Sequence, residues 1–259
     1  MGKPRIILDH QYIKKEYIDS HKKVNEIADN LGVSSSVIFR HLRECGVKTR
    51  KRGYGFNVAK EKILTQQQFE FFDGLMLSDG SICRRKTTNG RVSRGNDFLS
   101  CAFKHKEFAE YIKKQLNLKP KVHKKIHHSN RYKSGKCEQY GILSSANIFF
   151  TKERDRWYPD GIKIIPNNCR LTPVSLNIMY LGDGYICKNK HNNNINIATL
   201  SFTKQDIGLI IEYFKGIGIK ATVNHINEIR ISVYSSQDFL DYIGPCSVKC
   251  YKYKWDLNG

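Results

Sequence analysis

Apolar positions along this chain follow two different patterns. Val24, Ile27, Ala28 and Leu31 recur at helical spacing, and Val37, Ile38 and Leu42 do so again after a break at Gly32. Ser34 is a good N-cap for the second run, so the spacing predicts two short helices joined by a tight turn. Beyond residue 60 a longer unit occurs twice. Phe72-Asp73-Gly74-Leu75-Met76-Leu77-Ser78-Asp79-Gly80 and Leu176-Asn177-Ile178-Met179-Tyr180-Leu181-Gly182-Asp183-Gly184 are both apolar helical runs that end in Asp-Gly. Each is followed by a strand-like stretch (81–103; 185–202), the first broken at Asn89-Gly90, a hairpin signal. An amphipathic helix comes next (106–116; 204–214). A second strand pair follows, 121–144 turning near Ser134-Gly135 and 219–234 turning near Asn227-Glu228, and a last helix closes each half (145–157; 237–243).

Each half therefore reads αββαββα. Two such halves predict an α+β body with a pseudo-twofold axis, plus a small all-α module in front. The expected divisions are 1–47 for the helical module, 48–62 for a linker, 63–158 for the first repeat, 159–171 for the inter-repeat segment and 172–259 for the second repeat.

Charge narrows the partners. The 259 residues carry 44 Lys+Arg against 24 Asp+Glu, a formal net charge of +20. With 40% hydrophobic and 11% aromatic residues the chain can bury a core, which rules out disorder as a whole. A surplus of this size calls for a polyanion, with nucleic acid ahead of an anionic membrane surface. No window approaches 18 apolar residues, and the start, Met1-Gly2-Lys3-Pro4-Arg5-Ile6, reaches Asp9 and His10 too soon for a signal-peptide core. Ile6 also stands where a myristoylation signal needs Ser or Thr. The eight cysteines (45, 83, 101, 137, 169, 187, 246, 250) form no C-x-x-C pair, which speaks against a disulfide framework and against a structural zinc site. A soluble intracellular protein is expected, in a bacterial or phage-infected cytoplasm or an organelle.

The N-terminal pair has helix-turn-helix spacing: a small residue (Ala28), a turn glycine (Gly32) and a packing aliphatic (Ile38). In such a unit the second helix enters the major groove, here with Ser35, Ser36 and Arg40 toward the bases. The basic stretch that follows contains Arg50, Lys51 and Arg52 before Gly53 and Gly55, and suits a flexible arm along phosphates or a minor groove.

The two Asp-Gly runs, in register within matching repeats, resemble the paired motifs of single-chain LAGLIDADG homing endonucleases. The segment from Trp157 through Lys163-Ile164-Ile165-Pro166 to Leu171-Thr172-Pro173 resembles that family's inter-repeat segment, and Ile243-Gly244-Pro245 through Tyr253-Lys254 its C-terminal signature. The resemblance covers about residues 60–255 and leaves the helical module outside. Two positions depart from symmetry: Gly74 is answered by Ile178, and Ser78 by Gly182. Because small residues let the motif helices approach, Ile178 predicts a looser or asymmetric contact on its side.

The resemblance implies two motif helices side by side, with Asp79 and Asp183 at their C-terminal ends. The helix dipole and like-charge repulsion both disfavour carboxylates there, which divalent cations would relieve. It implies Mg²⁺ bound by the two aspartates with help from the backbone at Ser78 and Gly182, with Mn²⁺ able to substitute and Ca²⁺ as a non-catalytic replacement. Lys163 and Lys254, matched residue for residue, would offset charge on the phosphate or position water. The strands would form a saddle on the major groove, with Arg84, Arg85, Lys86, Arg91 and Arg94 on the first hairpin and Lys121, Lys124, Lys125, Arg131 and Lys133 on the next. The second half has fewer cations and more asparagines (192–194 and 196), so its contacts are expected to be more polar. These features imply a monomeric, metal-dependent, sequence-specific double-strand DNA endonuclease acting on a long asymmetric site. An intron RNA maturase and a non-cleaving DNA-binding regulator on the same fold are the alternatives.

Overall fold

The computed structural model describes residues 8–49, 62–84, 95–128, 135–188 and 193–258. Arg50, Lys51, Arg52, Arg85, Lys86, Arg91, Arg94, Arg131 and Lys133, most of the linker, the Asn89-Gly90 turn and Asn192 lie outside these. The chain divides into two compact units, residues 1–58 and 59–259.

The first unit contains three described helices: α1 (His10–Ile18), α2 (Val24–Asn30) and α3 (Ser35–Glu44). Helix α1 lies outside the two periodic runs, because Ile13 and Tyr17 are its only buried residues. Asp9 starts it, its carboxylate accepting from the backbone N–H of Gln11 at 2.8 Å and of Tyr12 at 3.3 Å. Ala28 and Ile38 are both buried where α2 meets α3, and Gly32 turns the chain between them with φ of 62°.

The second unit repeats one pattern. The first copy runs α4 (Gln66–Met76), β1 (Ser81–Cys83), β2 (Phe98–Phe103), α5 (Lys106–Gln115), β3 (His123–His128), β4 (Lys136–Leu143) and α6 (Ile148–Trp157). The second runs α7 (Pro173–Asp183), β5 (Gly184–Cys187), β6 (Asn194–Ile197), α8 (Lys204–Gly216), β7 (Ala221–Val223), β8 (Ile229–Ile231) and α9 (Val233–Ile243), then a 3₁₀ helix, Lys249–Trp255. Both copies form four-stranded antiparallel sheets with the same strand order, β1-β2-β4-β3 and β5-β6-β8-β7. The αββαββα expectation holds in each half. Alternation sends one face of each sheet into the core. Leu99, Cys101, Phe103 and Ile142 in the first, and Ile195, Ile197, Ile229 and Ile231 in the second, point into the core beneath the helices.

Helices α4 and α7 pack along each other at the centre of the core. Glycine makes this possible at two places. A Cβ on Gly74 would lie 2.3 Å from the Ser175 carbonyl oxygen and 2.9 Å from Ile178 Cβ, and one on Gly182 would lie 2.8 Å from Ser78 Cβ. The contact at Ile178 is thus asymmetric, as expected, but not loose: Gly74 makes room for the larger side chain opposite.

Candidate active site and sheet faces

Both motif aspartates stand at the same end of the α4–α7 pair. Asp183 is the last residue of α7, while Asp79 lies in the turn just beyond α4. They approach across the interface, since a Cβ on Gly182 of the second motif would be 3.2 Å from Asp79 Oδ2. Asp79 reaches solvent and Asp183 is half-buried, yet the protein packed around both carboxyls partly desolvates them. Burial raises the Asp79 carboxyl above its usual range against the pull of Lys254 and Lys163. Burial, followed by the charge of Asp79, pushes Asp183 up to about 7 despite the same two lysines.

The two lysines hold the ends of the motif helices. Lys163 Nζ donates to the carbonyls of Gly80 at 2.8 Å and Ser78 at 3.4 Å. Lys254 Nζ donates to Leu181 at 2.7 Å, Tyr180 at 3.3 Å and Gly182 at 3.4 Å. Each ammonium therefore meets the negative end of a helix dipole, and in both cases burial pulls the pKa down to about 8 while the aspartates pull it up. Lys254 is only 5% exposed, which sets it apart from a solvated surface cation.

A clasp from the opposite repeat positions each lysine. The Lys163 segment is pinned where Ile165 N–H donates to Asp206 Oδ1 at 2.9 Å, in the first turn of α8. The 3₁₀ helix bearing Lys254 is pinned where Lys249 and Cys250 N–H donate to the Glu107 carboxylate at 2.6 and 3.1 Å, in the first turn of α5. Tyr180 Oη also donates to the Lys254 carbonyl at 2.6 Å. Glu107, Asp206 and Tyr180 were not singled out from the sequence. An acid in the first turn of a helix reads as an ordinary dipole partner, and its use by a distant segment has no local signature.

A hard divalent cation suits this recess. Two carboxylates that resist ionisation beside one another would be relieved by it, and among the described residues the Ser78 and Gly182 carbonyls make only the long contacts to lysine.

The sheets carry their own chemistry on the helix-free faces. On β3, register places Lys125 opposite Gln139, whereas Lys124 shares the other face with Tyr140 and pairs with Glu138 at 2.8 Å. Lys121 is exposed just before β3. Arg84 lies 3.4 Å from buried Asp97 and 3.6 Å from Asp155. On the second sheet the asparagines are spent internally rather than presented freely. Asn194 and Asn196 are buried, Asn194 Nδ2 donating to Asn196 Oδ1 at 2.7 Å and Asn196 Nδ2 to Tyr185 Oη at 3.1 Å. Tyr185 in turn donates to Glu228 at 2.9 Å, and Arg230 reaches Asn194 Oδ1 at 3.4 Å. In the helical unit, Ser35 Oγ donates to Asn25 Oδ1 at 2.8 Å, Ser36 is exposed, and Arg40 lies 4.0 Å from Glu44.

The model of the LAGLIDADG DNA endonuclease family matches residues 69–239, which include both motifs, both sheets and Lys163. The chain belongs to this family. Lys254 lies outside the matched span. An uncharacterized protein of Methanocaldococcus jannaschii, MJ1098, is 28% identical over 196 residues, covering 73% of this chain and 71% of that protein. The homing endonuclease I-WcaI, solved bound to its DNA recognition sequence, is similar in fold with a TM-score of 0.64 and 17% identity, over 80% of this chain and 97% of that one. No described helix is long and apolar enough to cross a membrane.

Proposed function

We propose that this LAGLIDADG protein is a monomeric, sequence-specific double-strand DNA endonuclease of the homing kind. The observation that carries the reading is the convergence of Asp79 and Asp183 at paired helix ends, each end held by its own lysine. Asp79 and Asp183 would hold Mg²⁺ or Mn²⁺, with the Ser78 and Gly182 carbonyls beside them, while Ca²⁺ would occupy the site without supporting cleavage. When bound, the ions supply charge neutralisation at the phosphate and an activated water. Asp79 and Asp183 would each serve one strand. Lys163 and Lys254 would fix the backbone behind the acids and keep positive charge within reach of the phosphate.

The helix-free faces would lie along the major groove of a long asymmetric site, with Lys121 and Lys125 on one side and the Tyr185–Asn196–Arg230 layer on the other. Arg84, Arg85, Lys86, Arg91, Arg94, Lys124, Arg131 and Lys133 would add phosphate contacts. The helical unit, through Ser35, Ser36, Arg40 and the basic stretch Arg50-Lys51-Arg52, would anchor beside the main site.

Retention of both acids and both lysines favours a cutting enzyme over a regulator. Asp79→Asn and Asp183→Asn should each abolish double-strand cleavage in Mg²⁺ while DNA binding survives. Linearisation of a target plasmid by either variant would sink the two-acid assignment. Binding to a structured RNA that exceeds duplex DNA at matched salt would favour the maturase reading instead.

A further inference from the structure

The N-terminal unit brings together a group of metal-type ligands that no sequence pattern announces. His10 opens α1, while His41 and Glu44 sit one turn apart at the end of α3, and their ligand atoms all lie within 4.8 Å of one another. We propose that His10, His41 and Glu44 bind a divalent transition metal of the Zn²⁺ class that clamps α1 to α3.

The geometry supports a shared ion better than direct pairing. Glu44 Oε2 lies 3.6 Å from His10 Nε2 and 3.7 Å from His41 Nδ1, too far for hydrogen bonds to either. Ligands about 2.0–2.2 Å from a tetrahedral zinc are themselves roughly 3.3–3.6 Å apart, so small side-chain rotations complete the set. The imidazoles meet edge to face, 4.8 Å between centroids and 73° between planes, and each contributes one nitrogen to the cluster. The other carboxylate oxygen, Oε1, lies 4.0 Å from Arg40 Nε, at the edge of ion-pair range. His41 is 2% exposed, whereas His10 and Glu44 border solvent, giving an entry path and room for water as a fourth ligand.

Two imidazoles with one carboxylate select zinc-like ions over Mg²⁺, whose preference is for oxygen. The expectation against structural zinc considered thiols alone, and this site uses none. The need is physical as well. Among the described residues the unit's core is only Ile13, Tyr17, Ile27, Ala28, Ile38 and Leu42, and cores of that size commonly rely on a staple. The proposal stands whether or not α3 reads DNA.

The test uses the full chain carrying Asp79→Asn and Asp183→Asn, which removes the carboxylate pair as a competing site. After chelator treatment, Co²⁺ should bind with one equivalent and visible d–d bands, and Zn²⁺ should displace it. His10→Ala and Glu44→Gln, at solvent-facing positions, should keep the helical circular dichroism and weaken Co²⁺ binding by about 10-fold or more. Absence of the bands, or Co²⁺ binding unchanged in both variants with helicity intact, would overturn the proposal.

Discussion

The two repeats anchor their central helices at the same position by opposite chemistry. Asp73, just before Gly74 in α4, is fully buried and accepts from Arg156 Nη2, from Arg170 Nη1 at 3.1 Å and from the Arg170 backbone N–H at 3.0 Å. Arg156 also donates to Glu153 Oε2 at 2.8 Å, so two acids face two guanidiniums. The matching residue of α7, just before Ile178, is Asn177, whose amide donates to the carbonyls of Ile243 at 3.0 Å and Pro245 at 3.2 Å. Both residues tie a motif helix to a later segment of the chain: Asp73 to the end of α6 and the inter-repeat segment, Asn177 to the end of α9 and just beyond. One does so with buried charge and the other with a neutral amide, so the pseudo-symmetry is one of position and not of electrostatics.

Breaking the charged anchor should have the larger effect. Asp73→Ala leaves two guanidiniums short of a partner and should cost about 3–5 kcal/mol, read from the urea midpoint. Asn177→Ala leaves two carbonyls without their donor and should cost about 1–3 kcal/mol. The exchange sharpens the contrast further. Asn177→Asp sets a carboxylate against two carbonyl oxygens and should be worse than Asn177→Ala. Equal costs for Asp73→Ala and Asn177→Ala would mean that Asp73 is no more than a hydrogen-bond acceptor.

The clasps extend the comparison to chemistry. If the functional reading holds, Glu107→Ala frees the segment of Lys254 behind the second motif, and Asp206→Ala frees that of Lys163 behind the first. Displacement of a positioning group by an ångström can cost on the order of 100-fold. Each variant should therefore slow one DNA strand by about 10-fold or more and accumulate nicked plasmid, with affinity at matched salt nearly unchanged. End-labelled substrates should show opposite strands slowed by the two variants. Slowing of the same strand in both would break the assignment of one lysine to each motif.

How much of this was legible beforehand depends on range. The αββαββα order followed from apolar periodicity, and Asp79, Asp183, Lys163 and Lys254 followed from motifs read in context, because both kinds of signal are local. Helix α1 was missed since two apolar anchors do not make a visible period. Asp73 stands inside the first motif, and an acid in an otherwise apolar run is signal enough to ask for its partner. That partner could not be named, since Arg170 and Arg156 reach it only through the fold. The asparagines point to more polar contacts in the second half, and the fold adds that those of β6 bond to each other and to Tyr185. Alternation would have separated Lys124 from Lys125 had the register of β3 been known.

The smallest expected effect concerns the asymmetry of the acids themselves. Burial, and after it the charge of Asp79, pushes the Asp183 carboxyl up to about 7 from an ordinary 3.8. Its contribution to stability is thus fully present below about pH 4 and is lost as pH rises through 7. Lys163 and Lys254, pulled down by burial to about 8 from an ordinary 10.5, behave oppositely: their contribution is present above 10.5 and lost as pH falls through 8. At neutral pH the metal-free site therefore opposes folding from both sides, as expected where function requires buried charge. Asp183→Asn removes one ionisable group, and with solvent access discounted it should relieve about 1 kcal/mol, or roughly 2–4 °C in Tm. The gain should be largest in EDTA at pH 8, shrink at pH 5 and vanish only below about pH 4, and Mg²⁺ should narrow it by stabilising only the protein that retains both acids. A gap of constant size from pH 5 to 8 would mean that the carboxyl of Asp183 does not titrate in that window, and that the recess is wetter than its packing indicates.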